Sequence, residues 1–121
     1  MLFLHVVASA EFGGDEGVRD RQLLDAALAR PLASFAGELL YGNPFARAGA
    51  LMHSMLENQP FASANTAVAI LAAGFWLERE GYRLDADQHD LLQTALATAA
   101  GALDVDDLAR WLRERAVRLD R

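Results

Sequence analysis

Apolar residues recur at spacings of three and four along most of this chain, and the breaks between them mark out helices. Leu2, Leu4, Val6, Val7 and Ala10 describe a short amphipathic helix stopped by Gly13-Gly14, although alternation over so few residues also fits a strand. Asp20 is placed to cap the next segment, in which Leu23, Leu24, Ala27 and Leu28 share a face and Pro31 closes the run. A helix starting near Phe45 carries Ala48, Leu51, Met52, Met55 and Leu56 on its stripe. From Ala67 to Leu77 eleven residues pass without a polar side chain. That pattern predicts a helix buried nearly all round, entered near Ser63 and ended by a left-handed cap at Gly81.

Two further helices follow. One starts at Asp87 or a neighbour, carries Leu91, Leu92, Ala95, Leu96 and Ala99, and ends at Gly101. The last has Asp104 as its cap, Asp107 three residues on, and Val105, Leu108, Leu112 and Ala116 facing inward. Between Pro31 and Pro44 the periodicity fails: Gly37, Gly42 and Asn43 interrupt the bulky Phe35, Leu39, Leu40 and Tyr41. This stretch is either a short turn packed on the core or a flap that meets a partner. The sum is an all-α fold, a compact bundle of about six helices around a buried central one, in a single domain spanning 1–121.

Composition narrows the function classes. The chain has 121 residues, 53% of them hydrophobic, and no cysteine, which removes disulfides, thiolate chemistry and sulfur-ligated metals. A net charge of -6 argues against nucleic-acid binding, which needs a positive surface to release counterions. All eleven basic residues are arginine, and the five from Arg110 onward complement the C-terminal end of the last helix dipole. The eleven-residue apolar run is too short to cross a bilayer, and no secretory signal is evident, so a cytoplasmic protein without membrane contact is expected.

The chemistry of interest lies where the chain turns into the apolar helix. Asn58, Gln59, Ser63, Asn65 and Thr66 gather there, all neutral. A helix start offers unpaired N–H groups and about half a positive charge, a natural floor for an anion. The same residues also serve simply to hold the turn shut, with Ser63 as cap and Asn65 bonded to the preceding loop. His53 sits beside the apolar stripe and reads as a flank residue. His89 stands among Asp85, Asp87 and Asp90, a set that fits solvated helix-start charges better than a metal site. Trp76 and Trp111 read as packing residues.

Several separated blocks resemble the Fic/Doc family, and its death-on-curing branch of toxin-antitoxin proteins most of all. They are Gly-Gly-x-x-Gly-Val-Arg-Asp at Gly13 to Asp20, then Leu23 and Leu24, the run Ala27 to Pro31, and Asn58-Gln59-Pro60-Phe61 followed by Asn65. The blocks keep the family's order and spacing from about His5 to Leu112, with first elements shorter than the family's. The resemblance implies enzymes that move an AMP or phosphoryl group from ATP to a target hydroxyl. In their signature a histidine is the base, an acidic residue holds Mg²⁺, an asparagine and backbone N–H groups hold phosphates, and an arginine balances charge.

Laid on this chain, that signature is largely dismantled. The base position is Gln59, which has no titratable nitrogen, and a positioned base is worth about 10²–10⁴ in rate. The metal position is Ser63, a poor ligand for a hard cation. Ala64 and Asn65 fit the family, while Thr66 and Ala67 replace its cations. Phe61 is kept as an anchor. The resemblance therefore implies no catalytic residue, and a degenerate phosphate loop at Ser63, Ala64, Asn65 and Thr66. The expected protein is catalytically silent, needs no cofactor, and acts by binding another protein, either an antitoxin-like peptide or a second copy of itself. The alternative is a working transferase with ATP and Mg²⁺. Phe35, Leu39, Leu40 and Tyr41 fall about where the family carries its target-clamping flap.

Overall fold

A computed structural model describes residues 18–60 and 64–119. In chain order these form α1 (Arg21–Ala29), a 3-10 turn (Arg30–Leu32), a hairpin of β1 (Ser34–Phe35) and β2 (Glu38–Leu39), α2 (Pro44–Asn58), α3 (Asn65–Arg79), β3 (Tyr82–Leu84), α4 (Gln88–Ala99), α5 (Val105–Arg115) and β4 (Ala116–Arg118). The expected helix over Leu2 to Ala10, with His5, lies outside the described residues, as do Phe61 and Ser63.

Local chemistry explains most boundaries. The Asp20 carboxylate accepts from the N–H groups of Gln22 and Leu23 and starts α1. Asn43 caps α2 through the Ala46 N–H, with Pro44 in the first turn where a missing N–H costs nothing. Asp104 and Asp107 exchange reciprocal bonds of 2.8 and 3.2 Å, a capping box at the head of α5. Gly81 and Gly101 take positive φ just past α3 and α4, as expected for left-handed caps. Pro31 sits inside the 3-10 turn rather than after it.

Among the described residues the fold is mostly helical, with two small antiparallel pairs, β1 with β2 and β3 with β4. A buried helix does stand at the centre, but it is α2. Eight of its residues are buried, from Ala48 to Leu56, and it packs on α1, the 3-10 turn, α3, α4 and α5. Its small residues permit this. A Cβ on Gly49 would come within 3.2 Å of the Ala109 backbone nitrogen, so α2 and α5 meet almost main chain to main chain. The core is completed by Leu24, Leu77, Leu108 and Leu112.

Two expectations about faces are corrected. Helix α3 is not enclosed all round: Val68, Ala69, Ala72, Ala73 and Leu77 are buried, whereas Leu71 and Phe75 are 43% and 51% exposed. The run is apolar on every side, yet the core contact is made mostly by its small residues with Leu77, leaving Leu71 and Phe75 outside. In α4 the buried residues are Thr94, Ala95 and Thr98, while Leu92 and Leu96 face solvent. The Thr98 hydroxyl donates to the Thr94 carbonyl at 2.8 Å, which satisfies it in the interior. Threonine is shorter than leucine and lets α4 lie closer to its neighbours.

Candidate functional site

The loop between α2 and α3 is built from its two ends inward. Helix α2 terminates at Gln59, a non-glycine residue with φ 46° whose N–H still bonds the Met55 carbonyl. Helix α3 begins after Ala64, whose φ is 63°. Left-handed backbone at L-residues costs roughly 1–2 kcal/mol each and persists where surrounding contacts fix it. For Gln59 those contacts come from the strand-like segment before α1. The N–H groups of Arg19 and Asp20 both donate to the Pro60 carbonyl, at 2.8 and 3.0 Å. The Arg19 guanidinium reaches over the same edge: Nε donates to the Gln59 carbonyl at 2.9 Å, and Nη2 donates to the Asn58 and Gln59 carbonyls at 2.8 and 2.7 Å.

Most of the side chains singled out from sequence are thereby brought to one end of the bundle. Gln59 closes α2, Ala64 is the N-cap of α3, and Asn65 and Thr66 open its first turn. Ser63 lies outside the described residues, and the N-cap falls on Ala64, which has no side-chain oxygen to offer the first N–H groups. Asn58 donates to Ser54 Oγ at 3.3 Å. Arg19, the arginine at the loop, commits Nε and Nη2 to its carbonyls. Arg47 and Arg79 stand about 16 and 21 Å along their helices from the loop, at 1.5 Å per residue.

His53 lies on α2, six residues before Gln59. Its ring is 14% exposed, its Nδ1 is enclosed without a hydrogen-bond partner among the described residues, and the Glu57 carboxylate is 3.6 Å away. His89 is exposed at the head of α4 beside Asp87 and Asp90. No group of three or more histidine, aspartate or glutamate side chains fit to hold a metal ion occurs among the described residues.

The opposite end of α3 carries a feature that sequence reasoning missed. Arg47 clasps Glu80 with two parallel bonds, Nε to Oε2 at 3.0 Å and Nη2 to Oε1 at 2.8 Å, and its Nη1 donates to the Tyr41 carbonyl at 2.9 Å. Trp76 Nε1 also donates to Glu80 Oε2. The Arg47 bond holds the Glu80 carboxyl below its ordinary value against the opposing effect of burial, with Trp76 assisting. The signal was the sparseness of charge between Pro31 and Leu77: a lone arginine in an apolar third needs a partner. Trp76 is therefore a hydrogen-bonding strut as well as a packing residue.

Beside this pair lies a concavity of about 460 Å³ lined by Leu32, Leu39, Arg47, Trp76, Arg79 and Glu80. The β1–β2 hairpin forms its outer lip. Ala36 and Gly37 turn the hairpin with φ of 54° and 85°, the pairing that two-residue loops favour. Phe35, Leu39 and Leu40 are 77%, 47% and 60% exposed, whereas Tyr41 is tethered by Arg30 Nε at 3.0 Å. The segment is an exposed hairpin, not a turn packed on the core.

Comparison with known proteins identifies the family. The Fic/DOC family model matches residues 1–77. A curated relative, Toxin Doc of Mycolicibacterium smegmatis, is 37% identical over 108 residues, covering 86% of this chain and 82% of the relative. On the family match, the identity and the all-helical fold together, this chain belongs to the Fic/DOC family.

Proposed function

We propose that this chain is a toxin-type Fic/DOC protein whose catalytic loop has lost its chemistry and which works by binding another protein. The observation that carries the reading is Gln59. It stands where the family places its base, at a left-handed helix end pinned by Arg19, and its amide cannot accept the proton of an attacking hydroxyl. Ser63, Thr66 and Ala67 supply no carboxylate and no cation around it. No metal or nucleotide is needed in this reading. The likeness to a protein named as a toxin supports a toxin-antitoxin setting, in which an antitoxin-like peptide is the natural partner. The exposed side chains of Phe35, Leu39 and Leu40 are the surface assigned to that contact.

Titrating the purified chain with ATP and Mg²⁺ in a calorimeter tests the reading. It expects no heat of binding at millimolar nucleotide. Saturable binding abolished by Asn65→Ala would refute it.

The second reading, an active transferase moving a phosphoryl or AMP group from ATP, draws on one observation. The loop keeps two left-handed residues, Gln59 and Ala64, at its ends, and such backbone persists at functional sites. It predicts growth arrest on expression, together with nucleotide binding. Arrest that survives Asn65→Ala and disappears with Phe35→Ser would favour the binding reading instead.

A further inference from the structure

We propose that the solvent face of α3 is a self-association surface, on which two copies of this chain pack about a two-fold axis. Leu71 and Phe75 are the exposed large residues of an otherwise core-forming helix, one turn apart on a single stripe. They line a concavity of about 370 Å³ with Gly74, Glu78 and Arg83. A Cβ at Gly74 would meet nothing within 4 Å, so the helix surface between Leu71 and Phe75 is open to a neighbouring side chain.

The charges name the occupant. Glu78 on α3 and Arg83 on β3 both rim this groove, and neither forms an ion pair among the described residues. A two-fold axis passing between them sets each Glu78 opposite the partner's Arg83 and each Phe75 against the partner's stripe. That reciprocity is what an isologous contact requires. The chain as a whole carries -6, which favours basic partners in general. This face holds one acid and one base, so it suits a surface of the same kind. Dimerisation by this helix is independent of the hairpin contact and of any chemistry at Gln59.

Sedimentation of the full chain from micromolar to submillimolar concentration tests the inference, with Glu78→Arg and Arg83→Glu as separate variants. The expected result is a concentration-dependent dimer that either single reversal weakens by about tenfold or more, because each reversal makes two like-charge contacts. Mixing the two variants in equal amounts restores the dimer, since every contact in the mixed pair is again acid to base. Circular dichroism of each variant alone confirms that the fold is intact. A chain that stays monomeric throughout, or a dimer indifferent to both reversals, overturns the inference. So does a mixture no more associated than its components, which would leave the face to another occupant.

Discussion

The guanidinium of Arg19 grips the carbonyl of Gln59 from 40 residues away, with Nη2 at 2.7 Å and Nε at 2.9 Å. This contact holds the end of α2 in a left-handed turn. It also commits the Nε and Nη2 donors of the nearest cation to main-chain carbonyls. One arginine thus holds the end of α2 in shape across the chain.

Replacing Arg19 by alanine is expected to cost about 1–2 kcal/mol, measured by urea denaturation, since hydrogen bonds from a charged donor are lost at a solvent-exposed edge. Amide exchange should quicken at Asn58, Gln59 and Asn65 before it changes elsewhere. Lysine at the same position should recover only part of the loss, because one ammonium cannot reproduce a planar fork.

Ala64 gives a test with the opposite sign. Its φ of 63° is strained for an L-residue, so Ala64→Gly should be neutral or stabilising by up to about 1 kcal/mol. The same change at Ala69, buried in the regular part of α3, should destabilise by about 1 kcal/mol or more. If both substitutions destabilise equally, the left-handed N-cap is not as described.

The Arg47–Glu80 pair predicts a pH dependence. The Glu80 carboxyl lies below its ordinary value of 4.5 in the folded chain, so its stabilising contribution is complete above that value. It fades as pH falls below 4.5 toward the folded-state value. Glu80→Gln should therefore flatten the acid limb of the stability profile. At pH 7 it should lower stability by roughly 1–3 kcal/mol, leaving the Arg47 side chain only 14% exposed and without its anion. Chemical denaturation at stepped pH gives both readouts.

Gly49→Ala should destabilise although alanine is the better helix former. The added methyl meets backbone atoms of α5 at 3.2 and 3.3 Å, and main chain cannot rotate away. Overpacking of this kind costs about 1–3 kcal/mol, more than the gain of about 1 kcal/mol in helix propensity.

Much of this was legible in the sequence because it is local. Asp20, Asp104 with Asp107, Gly81 and Gly101 act within one helical turn of themselves, and each cap stands where the residues placed it. Gln59, Ala64, Asn65 and Thr66 likewise follow one another along the chain, so their gathering at one loop was readable from order alone. What escaped depends on distances between elements. Periodicity identifies an apolar stripe but not which of two stripes faces inward, and in α4 the threonines won over Leu92 and Leu96. The uniform run of α3 concealed an outer face for the same reason. Arg19 with Gln59 and Arg47 with Glu80 are separated by 40 and 33 residues, and no local rule pairs them.

The proposal that the loop is catalytically silent is tested most directly by incubating the full chain with ATP labelled at the α- or the γ-phosphate, Mg²⁺ or Mn²⁺, and a cell lysate. The account predicts no label on any protein above a control lacking the chain. Transfer of either label that is lost on changing Gln59 or Asn65 would contradict it.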